Sequence, residues 1–201
     1  MSHIKTASGR RWELLDPCAE LVCVEDIAHA LSLQCRFNGH CRELYTVAQH
    51  AVLVAREVYR ETSNLEMAFW GLHHDDEEAY LGDIVKPLKH LDTMREFREV
   101  AKRTQAVIAK ALGLSSTEEP AIVKEIDRRV LATEQRDLMP AWADGSPPSF
   151  DGEPLPHLAF RNARHGASHG LRRRKHDVST SSAATSCALH RPGTSCGEAL
   201  A

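Results

Sequence analysis

From Val24 onward the apolar residues recur at helical spacing. VEDIAHALSLQCRF sets Ile27, Ala30, Leu31 and Leu33 toward one side, with Glu25 and Asp26 near the start, and Asn38-Gly39 breaks the run. A second helix is predicted from about Thr46, where VAQHAVLVAREVY repeats Val47, Ala51, Val54, Ala55 and Val58 along one face. A third is predicted from about Asn64 to Tyr80. Its first half, LEMAFWGLHH, is nearly all apolar, the pattern of a central buried helix. Gly82 ends it and Pro87 marks the next turn. Residues 92–112 are amphipathic and charged outside, Gly113 stops that helix, and Pro120 opens a last one that runs to about Met139 before Pro140. Ahead of all these, SGRRWELLDP predicts a short extended pair before a turn at Asp16-Pro17.

Five or six helices and no core strand predict an all-α fold, a helical bundle with a short N-terminal extended segment. The pattern divides the chain into a helical domain over 1–140, a Pro/Gly-rich loop over 141–160 and a low-complexity basic tail over 161–201. The tail has almost no large apolar residue, so it is expected to be disordered. Composition adds that 42% hydrophobic residues suffice for a core. No apolar run approaches the roughly 18 residues of a membrane span. MSHIKTASGRRWELL lacks the features of an export signal, so a cytoplasmic protein without a membrane partner is expected. The six cysteines form no Cys-x-x-Cys pair, so they are expected to be reduced thiols rather than a zinc site.

Charge is uneven. Residues 161–201 hold 7 basic and 2 acidic side chains, which leaves 18 basic and 26 acidic over residues 1–160, a net of −8. Such a body does not suit nucleic acid. It also repels a phosphorylated small molecule unless a local basic pocket or a metal reverses the field.

The strongest chemical signal is His73-His74-Asp75-Asp76-Glu77-Glu78, directly after the apolar AFWGL. Six consecutive ionisable groups on a buried helix require compensation, and a divalent ion would supply it; the alternative is that the helix surfaces here and water solvates them. On a continuous helix, Glu78 would share a side with His74 and Asp75 and stand as a free carboxylate beside a metal pair. His50, in VAQHAVLVA, reads alone as either a core histidine or a ligand. Asp127, in IVKEIDRRVLATE, reads as either a surface acid paired with Arg128 or Arg129, or a ligand.

The order His50, His74-Asp75, Asp127 resembles the metal signature of HD-domain phosphohydrolases. The surrounding words ALSLQCRFNGH, YTVAQHAVLVA, HDDEEAYLGDIVKPLK and IDRRVLATEQRDL are similar to a bacterial and phage branch close to the HD-type 5′-deoxynucleotidases, over about residues 3–140. The resemblance implies one divalent metal, with Co, Mn, Mg, Ni and Zn not distinguished, held by His50, His74, Asp75 and Asp127. It implies Glu78 as the catalytic carboxylate, Asp83 and Lys89 as nucleotide-pocket residues, Arg36 and His40 as phosphate contacts, and Phe37 as an aromatic near the sugar. Taken singly, Arg36 also suits a helix end, Lys89 a surface position and Asp83 a cap. The chain departs from the pattern at His73, a spare ligand where an aliphatic residue is common. It departs again at Asp76 and Glu77, which replace small residues, and at Val85, which replaces a proline. After about residue 140 the family's apolar C-terminal segments are not recognisable.

The function implied is hydrolysis of nucleoside or deoxyribonucleoside 5′-monophosphates to nucleoside and phosphate, with a nucleotide as the small-molecule partner and a homodimer as one assembly. Two other classes remain open. One is an HD hydrolase of another nucleotide phosphate (triphosphate, cyclic or guanosine polyphosphate). The other is a non-catalytic metal- or nucleotide-binding regulatory protein.

Overall fold

Short-range signals set most helix boundaries. The computed structural model describes residues 2–156. Helix α1, Val24–Leu33, starts with Glu25 and Asp26 in its first turn, where acids suit the helix dipole. It buries Ile27 and Leu31. Leu33, expected on the same side, is 70% exposed, because six residues beyond Ile27 falls well off that face. Helix α2, Val47–Thr62, is opened by a reciprocal cap in which the Thr46 hydroxyl accepts from the Gln49 N–H and the Gln49 side chain accepts from the Thr46 N–H. It buries Val47, Ala51, Leu53, Val54 and Val58. Ser63 then turns into the left-handed region, and Asn64 caps helix α3, Leu65–Leu72, by accepting from the Glu66 and Met67 N–H groups.

The expected long third helix does not form. It stops at Leu72, residues 73–77 turn, and a single turn of helix, α4 (Glu78–Leu81), resumes before Gly82 at φ 83°. Glu78 therefore opens a separate element and does not lie on a helix face shared with His74 and Asp75. Another single turn, α5 (Lys86–Lys89), holds Pro87 where its missing N–H goes unused. The long helices α6, Arg95–Ala111, and α7, Ala121–Leu138, complete an all-α fold with seven α-helices among the described residues. Pro120 immediately precedes α7, as its sequence position predicts.

The helices α2, α3 and α7 pack together, and α1 packs against α2 and α4. Gly71 allows the α2–α3 approach: a Cβ there would lie 3.2 Å from both Ala55 Cα and Val58 Cγ2. The extended pair is a hairpin, β1 (His3–Lys5) against β2 (Arg11–Glu13), antiparallel with Ile4 opposite Trp12. It belongs to the core: Trp12 is fully buried and stacks on Tyr80 at 3.9 Å, together with Ile27, Leu31, Val47 and Ile108. Its turn is tied to α1 by the Ser8 N–H and hydroxyl, which donate to Asp26 at 2.6 and 2.7 Å.

Residues 2–155 lie within one compact unit. Beyond α7 the described chain forms no helix or strand, yet Leu155 is fully buried, with its N–H donating to Thr133 Oγ1. The 161–201 tail lies outside the described residues. Cys23, Cys35 and Cys41 are free thiols, whereas Cys18 is disulfide-bonded, against the expectation that the cysteines are reduced. Among the described residues no helix is long and apolar enough to cross a membrane.

Candidate metal centre

The reciprocal cap at Thr46 fixes the start of α2 and so places His50 one turn in, facing the bundle interior with no exposed surface. Its Nδ1–H donates to Glu134 Oε1 on α7 at 2.7 Å. His74 lies in the turn after α3, and its Nδ1–H donates to the Gly71 carbonyl at 2.9 Å. With both Nδ1 atoms acting as donors, each imidazole turns a bare Nε2 inward, and the two Nε2 atoms stand 3.2 Å apart. Asp75 Oδ2 lies 3.2 Å from His74 Nε2 and 3.5 Å from His50 Nε2. Asp127 Oδ1, from α7, lies 3.1 Å from His50 Nε2 and 3.7 Å from His74 Nε2.

Two facing lone pairs flanked by two carboxylates repel unless a positive charge sits among them. His50, His74 and Asp75 have ligand atoms within 4.8 Å of one another and can hold a metal ion, with Asp127 alongside. Two imidazoles and carboxylates suit a divalent first-row ion. Without such an ion, protons take its place. Burial opposes charging His74, but Asp75 and Asp127 overcome this and raise its pKa well above the usual range. Burial likewise disfavours the Asp75 and Asp127 carboxylates, yet the two histidines hold both below their ordinary values. The cluster thus offers a place that a cation can occupy.

Asp75 also meets Glu77 and Glu78, their oxygens within 4.8 Å of one another. Three carboxylates this close cannot all ionise in a buried place. Burial and the Asp75 charge push Glu77 up to about 8 and Glu78 well above its usual range. Glu78 is almost wholly buried, and Lys89 Nζ donates to its Oε1 at 2.6 Å.

Of the residues singled out in the sequence, His50, His74, Asp75, Asp127, Glu78 and Lys89 thus converge. Arg36 joins them: it is buried, its Nη1 lies 3.8 Å from Asp75 Oδ2, and its Nη2 pairs with Glu134 at 3.1 Å. Asp83 stands at the margin. Burial raises its pKa while Arg36 and Lys89 act to lower it, and its N–H donates to Gln34 Oε1. Phe37 and His40 are not brought into the cluster. The Phe37 ring centre lies 5.6 Å from the Arg36 guanidinium, and His40 is exposed at the end of the short turn Arg36–Gly39. His73 does not join the group whose ligand atoms cluster with Asp75; its Nδ1–H donates to Asp76 at 2.7 Å in a buried pair. That pair also accounts for Asp76.

Three contributors lacked a strong sequence signal. Glu134 is fully buried and accepts from His50, Tyr45 and Arg36. Tyr45 donates to it at 2.8 Å. Gln34 ties the end of α1 to α4, its side chain donating to the Glu78 carbonyl and accepting from Asp83.

The chain is 41% identical over 138 residues to the uncharacterized protein YfdR of Escherichia coli (strain K12), covering 69% of this chain and 73% of that protein. It is 38% identical over 86 residues to the uncharacterized protein RCAP_rcc00048 of Rhodobacter capsulatus, covering 41% of this chain and 44% of that protein. No family model matches the chain.

Proposed function

We propose that this chain, which belongs to the family of the Escherichia coli protein YfdR, is a metal-dependent phosphohydrolase of the HD-domain type acting on nucleoside 5′-monophosphates. One observation carries the reading. His50 from α2, His74 and Asp75 from the turn after α3, and Asp127 from α7 meet around two facing Nε2 atoms, with a buried carboxyl and a guanidinium at their edge.

His50, His74, Asp75 and Asp127 would hold one divalent ion, which supplies Lewis acidity toward phosphate and water. Arg36 offers a fork of N–H donors beside Asp75, matched to phosphate oxygens and opposing the negative charge of the body. Glu78, whose pKa burial and Asp75 raise while Lys89 acts to lower it, is the carboxyl placed to carry the proton that the reaction moves. Water adds to phosphorus as the bond to the 5′ oxygen breaks. That oxygen takes the bond's electron pair and the proton of Glu78, and the proton released by the water restores Glu78. Lys89 orients the Glu78 carboxyl through Oε1, leaving Oε2 for proton transfer. Asp83 borders the same space and suits a sugar hydroxyl.

The test is phosphate release from nucleoside mono-, di- and triphosphates by chelator-stripped protein resupplied with Co, Mn, Mg, Ni or Zn. Metal-restored release from monophosphates alone is expected. Pyrophosphate or triphosphate as product would move the activity to another nucleotide phosphate. No turnover on any nucleotide by metal-loaded protein would leave only a regulatory binding role. Glu78→Ala should lower turnover by roughly 10²–10⁴ with metal content unchanged.

A further inference from the structure

A second feature lies beside Phe37. Residues 139–150, where the resemblance to known nucleotidases has ended, fold into a roof over a cavity of about 420 Å³. That volume falls within the roughly 300–1,000 Å³ of small-molecule sites. Three aromatic side chains line it: Phe37 from the turn before α2, and Trp142 and Phe150 from the roof. Its ionisable lining residues are Arg42 and Arg136, with no carboxylate, although the body of the chain is acidic. Arg136 is held by Asp137 and the Leu155 carbonyl. The Arg42 side chain makes no hydrogen bond or ion pair among the described residues.

Two details show a shaped wall. Phe37 has φ 53° and Asn38 φ 51°, a left-handed conformation that bulky side chains rarely adopt, in the turn from which Phe37 lines the cavity. Trp142 is 67% exposed, whereas Trp12 and Trp70 are fully buried. A flat partner would cover a large apolar ring that the fold leaves open.

We propose that this cavity is a binding site for a heteroaromatic ring, the base of a nucleoside, stacked among Phe37, Trp142 and Phe150. The Arg36 guanidinium lies 3.8 Å from Asp75 and 5.6 Å from the ring centre of Phe37, which lines the cavity. The proposal therefore sets the phosphate of a nucleotide toward Arg36 and the metal cluster and its base in the cavity. Arg42 at the rim favours bases that present acceptor oxygens and nitrogens. Only the phosphate end of this arrangement rests on the phosphohydrolase reading.

The experiment uses the full chain, stripped of metal, so that turnover plays no part. The three tryptophan indole N–H resonances are followed by NMR while adenosine, guanosine, cytidine or thymidine is added, and Trp142→Phe identifies its signal. A saturable shift of the Trp142 signal is expected with at least one nucleoside, with Trp12 and Trp70 unmoved and ribose 5-phosphate without effect. Phe150→Ala keeps the reporter and should weaken nucleoside binding by about five- to a hundredfold. An unmoved Trp142 signal, or one that changes with protein concentration rather than nucleoside, overturns the proposal. Nucleoside binding without phosphate release from any nucleotide would retain this site and remove the phosphohydrolase reading. Phosphate release with no nucleoside response would do the reverse.

Discussion

Glu134 carries a charge with no exposed atom, a state that is costly unless every lone pair is met. His50 donates to it at 2.7 Å, Tyr45 at 2.8 Å, and the Arg36 guanidinium pairs with it at 3.1 Å. Burial alone would raise its pKa, but Arg36 and His50 hold it below the usual value. The carboxylate fixes which nitrogen of His50 faces the cluster and keeps Arg36 beside it. Glu134→Gln retains an acceptor for His50 but loses the charge, so affinity for Co or Mn should fall by about 10–100-fold. Glu134→Ala should cost more, and chelator competition measures both; equal affinity in all three proteins would reduce Glu134 to a packing role. The candidate ligand set comes from the ordered resemblance: only the run at His74-Asp75 stands out by itself, while His50 also reads as a core histidine and Asp127 as a surface acid. Glu134 was not legible, because TEQRD reads as a solvated helix surface. Its signal is positional: it lies seven residues after Asp127, two helical turns along the same face.

At the scale of elements, caps and breakers gave α2, α6 and α7 to within a few residues, whereas the end of α3 was invisible. AFWGLHH contains no residue that must stop a helix; the turn that follows holds the local His73–Asp76 pair and one bond from α6, Gln105 donating to the His73 carbonyl at 2.6 Å. The turn also depends on Gly71, whose carbonyl holds His74 and whose missing Cβ lets α3 meet α2. Gly71→Ala should therefore lower stability by about 1–3 kcal/mol and weaken metal binding as well, read by thermal unfolding and metal titration. Normal metal affinity in a destabilised variant would separate the two roles. The hairpin makes a different prediction. Burial acts to raise the Asp26 pKa, but its hydrogen bonds from Ser8 and Thr6 prevail and lower it below 3.8. A depressed carboxylate stabilises above its unfolded pKa, and that contribution is lost as pH falls through the folded value. Acid unfolding monitored by Trp12 should thus include a step below pH 3.8 that Asp26→Asn abolishes, at the cost of lower stability at neutral pH.

For the molecule as a whole, the stretch after α7 connects stability to the second cavity. Composition predicts a loop over 141–160, of which the described residues 141–156 form no helix or strand, but a lone leucine between prolines has no periodicity to mark it as core. Leu155 nevertheless inserts fully, its N–H donating to Thr133 and its carbonyl accepting from Arg136 at 2.9 Å. Gly152, at φ 125°, passes close to the backbone of Arg128, where a Cβ would meet the Arg128 carbonyl oxygen at 3.3 Å. Lys86 adds a surface ion pair to Asp151. The roof over residues 139–150 is therefore fixed at both ends, by α7 before it and by Leu155 after it, although most of its own side chains are exposed. Leu155→Ala should then do two things together. It should lower unfolding stability in urea by about 2–5 kcal/mol, the cost of emptying a core leucine site. It should also broaden or shift the Trp142 resonance, since the roof loses its far attachment. Leu91→Ala, at a half-exposed site outside the roof, should change stability by less than about 0.5 kcal/mol and leave Trp142 as it was. If Leu155→Ala unfolds at the wild-type urea midpoint, the segment is not part of the cooperative unit. The aromatic cavity would then have to be formed by its ligand, not supplied ready-made by the fold.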